Sequence, residues 1–171
     1  MFSISAASAD DIPQLLLLVN SAYRGEASRK GWTTEADFLD GDLRIDAENL
    51  AELLKKERSV VLKYTTPGQP IQGCVYLDKR DNRLYLGMLS VLPELQARGI
   101  GKELLAAAAQ HAVNTGCTSI YMRVLSKRSE LIAWYERHGY TDTGAREPYD
   151  APPKFGIFKE ALEFLILEKK I

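Results

Sequence analysis

The sequence has little of what marks a disulfide scaffold, a metal centre or a nucleic-acid binder. Its two cysteines, Cys74 and Cys117, stand far apart and outside any CxxC pair. They give no disulfide framework, and each is expected to be a small buried residue. Two histidines, His111 and His138, complete no metal-ligand cluster, so no metal is expected. Lys and Arg number 22 against 23 Asp and Glu, a formal net charge of −1. That balance lacks the basic excess of a nucleic-acid partner. The longest apolar runs, Leu15 to Val19 and Leu104 to Ala109, fall far short of the ~20 residues that cross a bilayer. The opening MFSISAASADD has neither a basic stretch nor an apolar stretch of a secretory signal. No membrane association is expected, and a cytoplasmic location is. Glycine (12) and proline (7) sit at ordinary levels, against a collagenous or disordered chain.

What is present is enough for one globular domain over residues 1–171. A weak alternation at Phe2 to Ser5 predicts a strand. Ile12, Leu15, Leu16, Val19 and Tyr23 follow at helical spacing, with Pro13 in the first turn. Residues 25–45 are polar, with a short helical turn expected after Thr34. Asp46 is placed to cap a helix through Lys56. Three β-rich runs come next, 60–66, 71–77 and 84–91, joined by Pro67-Gly68 and Asp81-Asn82 turns, so antiparallel neighbours are expected. Pro93 then ends the strand, and a helix with the stripe Ile100, Leu104, Ala108, His111 stops near Gly116. A strand at 117–124, a helix at 130–138 ended by Gly139, a strand from Tyr140 and a last central strand at 162–167 complete the chain. The order β-α-α-β-β-β-α-β-α-β-β predicts an α/β (α+β mixed) fold, a mixed sheet with helices on both faces.

The sharpest local signal is Gln96-Ala97-Arg98-Gly99-Ile100-Gly101-Lys102, between a strand and a helix. Unpaired amides at a helix start hold anions, and glycine lets a phosphate approach the backbone. A Walker A loop needs GxxxxGK[ST], but Glu103 follows Lys102 and position 96 is Gln. A dinucleotide fingerprint needs GxGxxG, but position 104 is Leu.

The run Leu89-Ser90-Val91-Leu92-Pro93, then Gln96-x-x-Gly99-x-Gly101 and Leu104-Leu105, resembles motif A of the GNAT superfamily of N-acetyltransferases. Ala133-Trp134-Tyr135-Glu136-Arg137-His138-Gly139-Tyr140 is similar to a second block of that family, at the right place in the element order. The resemblance implies a GNAT-like mixed sheet of about six or seven strands flanked by about four helices. It implies acetyl-CoA as co-substrate, with its pyrophosphate on the amides of Arg98 to Lys102. The pantetheine arm would pair with the backbone near Leu89 and Val91, in a splay between that strand and the one at 117–124. Gln96, Ala97, Gly99, Ile100 and Gly101 belong to the same cofactor set. Arg128 stands where many members carry an asparagine. Ser129 can replace that contact, or Lys127 and Arg128 can meet a phosphate of the cofactor.

Acetyl transfer needs a neutral amine, a polarised carbonyl and a stabilised leaving thiolate. Tyr135 matches the family's usual general acid. The strand 84–91 carries no carboxylate, so Glu35 is the first candidate base; a water relay through Ser90 or backbone carbonyls is the alternative, and a neutral amine needs no base. Tyr23, Arg24, Trp32, Glu35, Tyr149 and Phe155 are the expected lining of the acceptor site. Arg24 and Arg146 can read a carboxylate, Glu35 and Glu147 a cation. Residues 144–160, with three prolines, are expected to be a long functional loop. The partner expected is a small-molecule or peptide amine, attacked directly in a ternary complex. The resemblance also allows a homodimer, with strand exchange at the C-terminus as one route. A transferase using a longer acyl-CoA, or a catalytically silent acyl-CoA-binding module, keeps the same fold.

Overall fold

The computed structural model describes residues 1–171. Strand β1 (Ser3–Ala6) leads to helix α1 (Ile12–Tyr23), a four-residue helix α2 (Gly25–Ser28) and a two-residue strand β2 (Leu39–Asp40). Helix α3 (Ala47–Lys55) follows, capped by Asp46, whose carboxylate accepts from the Asn49 amide at 2.9 Å. Strands β3 (Ser59–Thr65), β4 (Gly73–Arg80) and β5 (Arg83–Val91) form an antiparallel meander. Helix α4 (Ile100–Asn114), strand β6 (Ser119–Leu125), helix α5 (Ser129–Arg137), strand β7 (Thr141–Pro148), a two-residue strand β8 (Ile157–Phe158) and strand β9 (Glu163–Lys170) complete the chain. Seven strands make one mixed sheet in the order β1-β3-β4-β5-β6-β9-β7. The five helices exceed the expected four by α2, which is a single turn.

Alternation along the central strands explains the two-sided core. On β4, Val75 and Leu77 face a cluster with Leu104, Ala108 and Leu131 of α4 and α5; Cys74 and Tyr76 face a cluster with Leu15, Leu18, Val19 and Leu50 of α1 and α3. Both cysteines are free and buried, as expected. The last strand, β9, lies between β6 and β7, the central place its apolar run predicts.

Two irregularities of β5 shape the site. First, Cys74 pairs with Ser90 but Tyr76 pairs with Gly87, so β5 carries one extra residue. Leu84 and Leu86 face the α4 side, whereas Met88 faces the α1 side, because the bulge inverts the alternation. Met88 absorbs it at φ 56°, a left-handed conformation that costs a non-glycine residue about 1–3 kcal/mol. Secondly, β5 pairs with β6 in parallel only from Arg83 to Tyr85. Beyond Tyr85 the strands diverge, which is the splay the resemblance implies.

Gly73 sets α4 against this opening. A Cβ there would lie 2.9 Å from Ile100 Cγ2, 3.0 Å from Leu104 Cδ1 and 3.1 Å from the Ser90 carbonyl. Gly73→Ala therefore overpacks the contact that seats the helix. A loss of about 1–3 kcal/mol is expected, read as a fall in melting temperature of about 2–4 °C per kcal/mol. An unchanged melting temperature would show that α4 shifts at no cost.

The segment 144–160 departs from the expected loop. Residues up to Pro148 continue β7, which rejoins β9 after a register shift between Asp142 and Arg146, and Ile157–Phe158 pairs with β2. Every residue of β7 is exposed, so this edge strand is held by main-chain hydrogen bonds and leaves no alternation to read.

Candidate active site

The loop from Gln96 to Lys102 closes the mouth of the splay. Ala97 at φ 63° and Gly99 at φ 92° turn the chain into α4. Gly99 is the N-cap and offers no side-chain acceptor, so the first amides of a 15-residue helix are left without a capping partner. A Cβ on Gly99 would meet nothing within 4 Å. The open space, the free amides and the positive end of the helix dipole together suit an anion. Arg98 and Lys102 are exposed beside them.

A cavity of about 410 Å³ runs from this loop past the end of β5 to α5. Its walls include Leu89, Val91, Gln96, Ala97, Gly99, Ile100, Gly101, Lys102, Trp134 and Tyr135. Gln96 does not simply point into it: Nε2 donates to the Val91 carbonyl at 3.1 Å, and Oε1 accepts from the Trp32 amide at 3.0 Å. Its carboxamide thus ties the end of β5 to the segment 29–34. That bond draws Trp32 into this first cavity rather than into the acceptor lining expected for it. Thr33 beside it donates to Glu130 at 2.9 Å.

A second cavity of about 370 Å³ adjoins it where β5 (residues 85–89) parts from β6 (residues 122–124). Tyr23, Arg24, Glu35, Arg44, Tyr149 and Phe155 line it. Five residues, Tyr23, Leu89, Arg128, Leu131 and Tyr135, line both cavities. Two of them, Leu131 and Tyr135, share one face of α5 at helical spacing, and Arg128 is its N-cap. Tyr23 Oη donates to the Leu89 carbonyl at 3.0 Å.

Tyr135 sits at that junction, buried except for 4% of its surface. No protein group bonds its hydroxyl, and the oxygen is not sealed from the cavities. Burial, then the neighbouring Tyr23, holds the phenol well above its ordinary value, outweighing the opposing pull of Arg128. The hydroxyl is therefore a proton donor at any ordinary pH. His138 Nδ1 donates to the Trp134 carbonyl at 2.8 Å and so closes the end of α5.

Glu35 is buried between two arginines. Oε1 accepts from Arg24 Nε at 3.0 Å and Oε2 from Arg128 Nη1 at 3.1 Å. Exposures of 6% for Glu35 and 4% for each arginine make this a dry triad. Both carboxylate oxygens are engaged. Arg24 also donates to the Leu43 and Phe155 carbonyls, and Arg128 Nη2 to Thr33 Oγ1 at 3.0 Å. Thus Arg128 lines the first cavity but turns its guanidinium inward, while Lys127 pairs with Glu160. Arg146 is bound to Asp142 and Glu147 to Arg123, and neither Arg146 nor Glu147 lines either of these two cavities.

Sequence reasoning missed Arg44, Arg123 and Glu52 in the second cavity. Each lies in an amphipathic or polar stretch where a charge is ordinary, and only the tertiary fold turns it toward the others.

A model of the acetyltransferase (GNAT) family matches residues 17–140. In sequence, the chain is 26% identical over 87 residues to the thialysine N-epsilon-acetyltransferase of Bos taurus, covering 46% of this chain and 51% of that one. The chain therefore spans about half the length of that relative. In structure, it is similar to the ribosomal-protein-S18-alanine N-acetyltransferase of Escherichia coli, with a TM-score of 0.73 at 17% identity, over 100% of this chain and 94% of that one. The PaiA N-acetyltransferase of Thermoplasma acidophilum, solved in complex with coenzyme A, aligns with a TM-score of 0.71 at 18% identity, over 100% and 99%. The family match covers well over half of the chain and includes the splay, the loop at 96–102 and Tyr135, so this protein belongs to the acetyltransferase (GNAT) family.

Proposed function

We propose that the protein moves an acetyl group from acetyl-CoA to a primary amine of a small molecule or peptide, by direct attack with both substrates bound. The observation that carries this reading is that Tyr135, whose hydroxyl bonds no protein group, lines both cavities. A donor in one cavity and an acceptor in the other would bring their reacting ends to the same phenol.

The residues fit the co-substrate. The amides at the start of α4, with Arg98 and Lys102, suit its pyrophosphate. The β5 edge beyond Tyr85 has no strand partner on the β6 side, which suits an extended arm bearing amide groups. Acetyl-CoA supplies a thioester carbonyl and a thiol leaving group. Tyr135 donates a proton toward that sulfur as the C–S bond breaks, and its phenolate is reprotonated through solvent by the proton that the attacking nitrogen releases. The amine loses a proton in becoming an amide. Glu35 is not our choice for that base, since both its oxygens already serve buried arginines; its role is to hold Arg24 and Arg128 at the junction. The names of the relatives, N-acetyltransferases of an amino-acid analogue and of a protein alanine, agree with nitrogen as the acceptor.

Acetyl-CoA at a hundredfold excess over its Kd is expected to add ~2.7 kcal/mol of stability. At about 2–4 °C per kcal/mol that is a rise in melting temperature of roughly 5–11 °C. Thiol release on adding amines completes the test. No thermal shift at millimolar acetyl-CoA would remove the basis for the reading; a shift without transfer to any amine would favour a silent binding module.

A further inference from the structure

We propose that the acceptor is an amine that also bears a carboxylate, and that Arg44 binds that carboxylate. This deepens the acetyltransferase reading and rests on it. Most charges around the second cavity are already matched. Arg24 and Arg128 are both committed to Glu35, and Arg123 faces Glu147 at 3.4 Å. Arg44 is different. Its main chain is pinned, with its amide donating to Asn20 Oδ1 at 2.6 Å and that of Ile45 donating to the same oxygen at 3.1 Å. Asn20 Nδ2 returns a bond to the Ile45 carbonyl at 3.1 Å.

The Arg44 guanidinium, by contrast, has no hydrogen bond and no ion pair, although the side chain is half-buried and lines the cavity. It rests 4.7 Å from the centroid of the Tyr23 ring. A ring face orients a guanidinium but leaves its in-plane N–H groups unsatisfied. A pinned, half-buried fork of donors without an acceptor is matched by a carboxylate, which takes two of them at once.

The balance of charge agrees. Four arginines and two glutamates line the cavity, the second glutamate being the exposed, unpaired Glu52. Arg128 adds an Nε–H that is sealed from water with no partner, at the seam between the two cavities. An amine arriving alone as a cation meets net repulsion here. An amine carrying its own carboxylate brings the anion that Arg44 lacks. Once seated among arginines, its nitrogen is also easier to deprotonate, because nearby positive charge favours the neutral form. That eases the proton problem without a dedicated base.

The test uses amines in pairs, each carboxylate against its carboxamide: glycine, β-alanine and 4-aminobutyrate against their amides. Dipeptides beginning with aspartate against asparagine form the peptide arm. Carboxylates are expected to have kcat/KM values roughly 10- to 100-fold above their amides, the scale of one charge-assisted bidentate contact. Preference in the free amino-acid arm or in the peptide arm alone says which source supplies the group. In Arg44→Gln the preference is expected to collapse toward unity, with the change in KM, and in Arg44→Lys to be partly kept. Melting temperature and acetyl-CoA affinity control for folding of the variants. Transfer without preference in the unaltered protein overturns this inference and leaves the acetyltransferase reading standing. A preference that survives Arg44→Gln overturns the assignment to Arg44. Acetyl-CoA binding with transfer to no amine overturns both.

Discussion

Tyr135→Phe is expected to lower kcat by about 10²- to 10⁴-fold, the usual range for removing a positioned general acid, with acetyl-CoA affinity retained. The substitution removes one oxygen and nothing else. That oxygen bonds no protein group, so its loss breaks no structural contact. The ring keeps its edge contacts with Trp134 and Tyr140, whose centroids lie 5.1 and 5.8 Å away. Stability should therefore hold, unlike the outcome for a core tyrosine whose hydroxyl carries a hydrogen bond. The pH profile adds a second readout. Burial raises the Tyr135 phenol above its ordinary value, so the proton donor survives through the alkaline range up to and beyond pH ~10. The alkaline limb of kcat should not report this tyrosine below that point. Full activity in Tyr135→Phe, with thiol release unchanged, would move the proton to water and leave Tyr135 a wall of the cavities.

The parts of the fold that were legible are those set by local chemistry. Gln96, Gly99 and Gly101 announce a tight strand-to-helix turn, and Gly99 does adopt a positive φ there. Asp46 announces a helix start because its carboxylate can reach an amide three residues on. The meander of β3, β4 and β5 follows from short links between β-rich runs. The hidden parts depend on contacts remote in sequence. The β5 bulge falls on Met88, a residue with no left-handed preference, so nothing local marks it. The core on both faces over-determines the strand and holds it there. Trp32 lies in the first cavity because Gln96, 64 positions away, accepts its amide. Glu35 reads in sequence as an ordinary polar-loop carboxylate. Only folding sets it between Arg24 and Arg128, the latter 93 positions away.

Because of that placement, Glu35→Ala is expected to destabilise the protein by about 3–5 kcal/mol, since it leaves buried arginines without their anion. The melting temperature should fall by roughly 6–20 °C at about 2–4 °C per kcal/mol. The reason is asymmetry. The intact triad carries two positive charges against one negative in a nearly dry site, and its formation offsets most of its own desolvation cost without adding much. Removing the one anion leaves the desolvation cost of both guanidiniums and their mutual repulsion. Glu35→Gln should fall between, since the carboxamide keeps one acceptor oxygen and presents an NH₂ to the second arginine. Replacing the whole triad by apolar residues (Glu35→Leu with Arg24→Met and Arg128→Met) should recover much of the loss, as the charges are then absent together. These effects appear in thermal or denaturant unfolding with no substrate present, which separates them from a role in proton transfer. The opposite pattern, a Glu35→Gln variant that melts normally but turns over about a hundredfold more slowly, would return Glu35 to the role of base and require the triad to open when the acceptor binds.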